Sequence, residues 1–291
     1  MSWSIAGRPS EKKREIMIRT HQTIIEPRKG LKRVDWKELF EFRDLFVFMI
    51  WRNIKTRYAQ STLGVGWALI QPLFSMLVFT VIFGRLAKID SNGAPYAIFS
   101  YTALVPWTFF ANAVTEGTAS LVTNAPMLSK VYFPRLILPL ASVLARGVDF
   151  VIALIFLAAL MVWFGLFPTW NVLVLPLLVM ILLLSATGFG LWFTALAIQY
   201  RDIAYAMNFI VQLLMYAAPV VYPTTLIPER LQLWYAMNPM VGVIEGFRSA
   251  LLGTIPMPWA WIGIGAVFSV VLFVSGLVYF QLREKNFADV A

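Results

Sequence analysis

The sequence has no cysteine, a single histidine, and charged side chains at only 13% of its positions. Without cysteine there is no disulfide scaffold and no thiol-based metal or redox site. With His21 as the only imidazole, in a stretch otherwise rich in Lys and Arg, no Ser-His-Asp arrangement can be assembled. No G-x-x-x-x-G-K-[ST] run occurs, so the chain lacks a phosphate-cradling ATP loop; the Gly64-Val65-Gly66 pair has neither the lysine nor a preceding strand. No His, Asp and Glu cluster has metal-ligand spacing, and no short alternating segments suggest a β-barrel. Scarce charge also excludes an ordinary soluble domain, in which about 25% of residues are charged.

What is present is apolar length. Tyr58 to Gly84, Ser91 to Thr115, Phe150 to Tyr200, Ile203 to Pro228 and Ser249 to Leu282 contain no Asp, Glu, Lys or Arg. A helix needs about 20 residues to cross about 30 Å of hydrocarbon. The run from Phe150 to Tyr200 is too long for one crossing, and its middle, Phe167-Pro168-Thr169-Trp170-Asn171, reads as a turn. The expectation is an all-α membrane protein with six spans, near 62–84, 96–120, 139–166, 171–198, 203–221 and 259–281. Nineteen of the 24 Lys and Arg fall before the first span or in segments on the same side of the membrane. The positive-inside rule then puts both termini in the cytoplasm. Residues 1–33 carry nine basic residues and no apolar run of the kind a secretory signal needs, and 1–35 read as a largely disordered basic arm.

Several segments between the spans are more elaborate than connecting loops require. Residues 36–55 space Lys37, Glu41, Asp44, Arg52 and Lys55 at about helical intervals, with Trp36, Leu39, Phe40, Phe46, Met49 and Ile50 largely on another face. This predicts an amphipathic helix at the cytoplasmic interface. The loop after the second span brackets Met127, Leu128, Val131, Tyr132 and Phe133 between Pro126 and Pro134, predicting a turn or two of helix with apolar groups suited to a partner surface or to its own helix ends. Six prolines from Pro219 to Pro258 chop the stretch 222–258 into pieces too short to span, near 229–237 and 241–252. Such broken helices are tolerated at membrane depth only against protein or water, which makes 222–255 a candidate outer gate, with Tyr222, Trp234, Glu245 and Arg248 as its polar and aromatic residues.

Ionisable residues inside spans are functional suspects. Glu116 near the end of the second span and Arg146 and Asp149 at the start of the third lie at comparable depth, and mutual neutralisation is expected. Arg52, Lys55 and Arg57 stand just before the first span, where they serve either as topology determinants or as an electrostatic entrance for an anionic lipid head. The chain holds 23 Phe, 11 Trp and 10 Tyr, which suit interfacial belts or an aromatic path for a polymer.

From about Trp36 onward the sequence resembles the ABC-2 type membrane subunits that export polysaccharides, such as the O-antigen, capsule and teichoic acid permeases. The resemblance is carried in order by Arg57 to Gly64 leading into Trp67 and Gln71-Pro72-Leu73, then Asn124-Ala125-Pro126, Lys130 to Arg135 and Leu138-Pro139. Tyr200 to Ile203, Ala218-Pro219, Tyr222-Pro223, Asn238-Pro239, Glu245 to Arg248 and Phe287 to Asp289 complete it. It implies a homodimer above two copies of a separate nucleotide-binding ATPase, with ATP and Mg on that partner and no cofactor on this chain. It implies that residues 36–55 hold the interface helix, that 126–135 is the coupling helix meeting the ATPase, and that 222–255 are periplasmic re-entrant gate helices. The ATPase contact would fall on Leu128, Lys130, Val131, Tyr132 and Arg135, with Arg201 and Asp202 as a second surface. The division expected is an arm 1–35, an interface helix 36–55, a six-span domain 56–282 and a cytoplasmic tail 283–291.

The function implied is a transport subunit in the inner membrane, not an enzyme and not a nucleic-acid binder, that moves a lipid-linked polysaccharide, O-antigen first. Capsule or teichoic acid export, export of drugs or small lipids, and a membrane enzyme acting on lipid-linked sugars are the alternatives. With no native thiol, single cysteines report topology cleanly. Ser2→Cys and Thr225→Cys should label with an impermeant maleimide from opposite faces, Thr225→Cys from outside; labelling of both from one face would overturn the assignment of sides.

Overall fold

The computed structural model describes residues 36–59, 64–128, 130–200 and 202–284. Among them all regular structure is helical. The basic arm, and residues 285–291 of the expected tail, lie outside the described residues. Two helices come first, α1 (Trp36–Glu41) and α2 (Arg43–Tyr58). A first apolar segment follows, Gly64–Leu86, built from a 3-10 turn, α3 (Trp67–Phe79) and a π-helical end at Thr80–Leu86. Next come α4 (Tyr96–Thr123), the single turn α5 (Ala125–Leu128), α6 (Ile137–Ala145) and α7 (Gly147–Trp163). The chain ends with α8 (Leu175–Gln199), α9 (Asp202–Tyr216), α10 (Glu229–Ala236), α11 (Pro239–Leu252) and α12 (Trp259–Glu284).

Five described segments are long and apolar enough to cross a membrane: Gly64–Leu86, Tyr96–Thr123, Ile137–Trp163, Trp170–Gln199 and Trp259–Glu284. The segment expected to span at 203–221 forms a helix of 15 residues, ending at Tyr216. At about 1.5 Å per residue it falls short of a full crossing. Pro219 explains the stop, because proline lacks the N–H that would continue the ladder and disfavours helical geometry at Ala218.

The bundle is organised around α4. This helix packs against α3, α6, α7, α8, α9 and α11, and 78% of its most apolar window is buried. The Gly64–Leu86 segment is the opposite extreme at 11%. Almost all of its apolar surface faces away from its own fold, as lipid-facing or interface helices require. The α8–α12 pair shows how close packing substitutes for a hydrophobic driving force inside a bilayer. A Cβ on Gly276 would lie 2.7 Å from the Gly188 carbonyl oxygen, and one on Gly188 would lie 2.7 Å from the Phe273 nitrogen. Only hydrogen fits at either position. Beside this crossing, Trp192 stacks on Tyr279 at 4.3 Å and its indole N–H donates to Ser275 Oγ at 3.0 Å.

One expected boundary changes. The helix anticipated near 126–135 is the single turn Ala125–Leu128, and Lys130 to Pro134 is irregular. Pro134 biases Phe133 toward extended backbone, and Phe133 and Leu136 sink into a cluster with Met49, Leu121, Ile137, Leu191 and Phe280. The third span is continuous over Ile137–Trp163, with Arg146, helical in backbone, at the junction of α6 and α7. The helix before the first span also departs from a simple amphipathic one. Met49 is buried and Asp44 exposed, yet Val47, Phe48 and Trp51 are exposed as well, while Arg52 and Arg57 turn toward the bundle.

Candidate functional site

Four charges meet where α2, α4 and the α6–α7 junction converge. Arg57 reaches Glu116 Oε2 at 2.5 Å and Asp149 Oδ2 at 3.1 Å. Arg146 reaches Asp149 Oδ2 at 2.9 Å and also pairs with Glu116. The Tyr58 hydroxyl donates to the second oxygen of Asp149. Each arginine thus bridges both carboxylates, in a cluster whose side chains are one-sixth to one-third exposed. The i, i+3 spacing places the Arg146 guanidinium and the Asp149 carboxylate one turn apart at the start of α7, where they share one focus.

Arg57 was expected with Arg52 and Lys55 at a lipid-head entrance. Here the Arg57 guanidinium is engaged by both carboxylates. Arg52 is engaged too, donating to Asn124 Oδ1 at 2.7 Å and lying 3.9 Å from Met127 Sδ. Lys55 is exposed. Between the two arginines, Asn53 donates to Ser142 Oγ at 3.4 Å. One helix, α2, therefore holds the α4–α5 corner through Arg52, α6 through Asn53, and α4 and α7 through Arg57.

The expected ATPase-contact residues divide into two groups. Leu128 is half-buried in the cluster under the loop, which also takes in its neighbour Phe133, 4% exposed. Val131 and Tyr132 are exposed at 58% and 67%, with Lys130 beside them. The Tyr132 hydroxyl donates to Glu38 Oε1 at 2.9 Å. That bond to a carboxylate, then burial, raises the hydroxyl's pKa above its ordinary value. Arg135 donates to the backbone carbonyl of Glu284, so the loop is tied at both ends. Asp202 is exposed in the first turn of α9, where its charge complements the helix dipole. Arg201 lies outside the described residues.

At the opposite end, Glu245 and Arg248 form a 2.7 Å ion pair with both side chains fully buried. The Arg248 guanidinium lies 3.6 Å from the centre of the Phe99 ring and donates to the Val220 carbonyl at 3.0 Å. Tyr222 donates to the Tyr216 carbonyl at 2.8 Å and its hydroxyl lies 3.0 Å from that of Tyr235. Asn238 reaches the Ala217 carbonyl at 3.1 Å, and Tyr96 the Val221 carbonyl at 2.5 Å. These side chains take up the carbonyl of Tyr216, the last residue of α9, and those of Ala217, Val220 and Val221 in the segment after it. The sequence marks Glu245 and Arg248 only as spaced charges; their i, i+3 interval on a helix is the signal that pairs them. Trp234, 71% exposed on α10, takes no part.

Removing one cation from the four-charge cluster leaves an excess carboxylate. The loss for a fully buried pair is about 3–5 kcal/mol, and solvent at Glu116 reduces this to roughly 2–3 kcal/mol. Arg146→Ala should lower the melting temperature of the purified protein, and Arg146→Ala with Asp149→Asn should recover part of the loss by restoring the balance. Equal melting temperatures for wild type and Arg146→Ala would show that the cluster has no structural weight.

A family model described as ABC-2 type transporter matches residues 44–252. The chain is 28% identical over 256 residues to an O-antigen export system permease protein RfbA of Myxococcus xanthus, covering 87% of this chain and 97% of that one. It is 25% identical over 251 residues to an RfbA protein of the same description from Klebsiella pneumoniae, covering 85% and 95%. A polysialic acid transport protein KpsM of Escherichia coli is 23% identical over 239 residues, covering 80% and 91%. The family match runs from α2 through the buried α11, across the charge cluster, the tied loop and the Glu245–Arg248 pair, and the chain belongs to the ABC-2 type transporter family.

Proposed function

We propose that this chain is the membrane subunit of an ATP-driven exporter that carries a lipid-linked polysaccharide, O-antigen first, across the inner membrane. The observation that carries the reading is the near full-length similarity to permeases named for O-antigen export. A capsule-type polymer is the second reading, favoured by the similarity to a polysialic acid transport protein. In this reading the chain works as a homodimer on two ATPase subunits that supply ATP and Mg, with both termini cytoplasmic. The short helix α9, continued by the capped segment to Val221, serves as the sixth span. Helices α10 and α11 then form the outer gate, held by Glu245 and Arg248.

Force reaches the chain through the loop of Ala125 to Arg135. A hydrolysis-driven push must become a change between two packed arrangements, since a ligand shifts an equilibrium only by its differential affinity for the two states. The side-chain ties favour α2 as the carrier: Arg52 grips the α4–α5 corner and Arg57, about one turn on, grips the four-charge cluster.

Deleting the gene in its native host should remove the polysaccharide from the cell surface while the lipid-linked polymer collects inside. Immunodetection on intact and on lysed cells separates the two pools. Unchanged surface polymer would overturn the export reading, and loss from both pools would favour an enzyme of polymer synthesis.

The exposed pair Val131 and Tyr132 is the expected anchor for the ATPase. Truncating a central apolar anchor costs about 2 kcal/mol or more of binding, and rim charges less. Tyr132→Ala should reduce co-purification of the ATPase or uncouple hydrolysis from export, with Lys130→Ala weaker in effect. Normal co-purification and export in a Val131→Ala, Tyr132→Ala double variant would move the coupling surface to Asp202 and its neighbours.

A further inference from the structure

A cavity of about 260 Å³ opens against the four-charge cluster, walled by α3, α4 and the start of α7. Its volume falls just below the range of small-molecule sites, which starts at about 300 Å³. It is the size for one ring, not for an oligosaccharide. Arg57, Arg146 and Asp149 form part of its lining. With Glu116 behind them, the two guanidiniums are matched by two carboxylates. The charged end of the cavity is therefore neutral in sum and offers little attraction to a diphosphate.

The remaining walls carry hydrogen-bonding groups that the fold leaves unused. Gln71 and Asn112 line the cavity, and neither side-chain amide has a hydrogen-bond partner among the described residues. Pro72, inside α3, removes the N–H that would bond the Ala68 carbonyl, and Ala68 is also in the wall. Two amides, each both donor and acceptor, and one backbone acceptor thus border one space. Gln71 is exposed and Asn112 half-buried, so both amides are open to bond a polar occupant that enters this space. Trp67 adds an indole, 54% exposed, at the mouth. The negative face of an aromatic ring attracts weakly positive C–H edges, and a pyranose presents such a face together with hydroxyls around its rim.

We infer that this cavity is a binding site for a single uncharged sugar ring, contacted by Trp67, Gln71 and Asn112 and bounded by the neutralised cluster of Arg57, Arg146, Glu116 and Asp149. The inference rests on the polysaccharide-export reading and narrows it. The cluster thereby gains a second role, since its balance keeps two arginines from selecting an anion where a neutral ring must pass. The site is also joined to α2, because Arg57 belongs to both. Motion of α2 against the bundle reshapes the cavity wall directly.

In-cell photocrosslinking tests this on the full chain with its own ATPase. Trp67→p-benzoylphenylalanine should give an adduct that reacts with antibody to the surface polysaccharide. The same replacement at Val271, an exposed position on α12, should not. An adduct only with phospholipid, an adduct only with a second copy of this chain, or no adduct would each overturn the site. Gln71→Leu and Asn112→Leu should each slow export about fivefold, the worth of one hydrogen bond, at wild-type levels in the membrane and with normal ATPase association. Wild-type export by the double variant would also overturn it. Where a variant fails to accumulate, the crosslink decides. If gene deletion abolishes surface polymer but Trp67 gives no glycan adduct, the sugar site alone falls. If deletion leaves surface polymer unchanged, the export reading falls.

Discussion

Charge neutrality in a low-dielectric setting is the constraint on which the cytoplasm-proximal half of this bundle, in the proposed orientation, depends. Two guanidiniums and two carboxylates from α2, α4 and the α6–α7 region can approach only as a balanced set, because an unmatched charge there has little water to screen it. Their meeting ties together the depth at which α2 lies against the bundle and the placing of α4 relative to α7. Arg52 and Asn53 then extend the same helix's hold to the α4–α5 corner and to α6.

A second polar centre serves the other end in a different way. The Glu245–Arg248 pair is fully buried, and its stabilising weight lies less in the ion pair than in what Arg248 holds. The prolines after α9 release carbonyls that a longer helix would have satisfied internally. Arg248, Asn238, Tyr222 and Tyr96 donate to them from separate parts of the chain. A proline-broken segment is thereby tolerated inside an apolar protein, and α11 is packed so fully that all of its residues are buried. The two polar centres are joined through α4, which contributes Glu116 to one and Tyr96 and Phe99 to the surroundings of the other.

Much of this was legible in the sequence because composition and spacing are direct records of solvent. The spans expected from the uncharged runs match all five long apolar segments to within three residues, and Pro168 marks the turn between two of them. Glu116, Arg146 and Asp149 stand out as charges within or beside apolar runs. Arg57 does not, since it precedes a span and reads equally well as a topology signal. It joins the other three only because α2 folds back on α4 and α7. The apolar residues near Pro126 and Pro134 predict a compact element, but not which of them point inward. Phe133 is buried and Tyr132 exposed because a one-residue change of direction, set by Pro134, decides which faces the cluster.

The sequence by itself determined that the chain is helical, largely apolar and suited to a bilayer, because helical spacing and the absence of charge over about 20 residues leave few other solutions. It also carried the ordered motifs of the ABC-2 family. Only the tertiary structure decided which polar groups meet. Arg57 with Glu116 and Asp149, Arg52 with Asn124, and Arg248 with Val220 are separated by 28 to 92 positions along the chain. Pairings over such distances are fixed by how helices pack, and packing depends on side-chain shapes across several elements at once, which no local pattern in a sequence records.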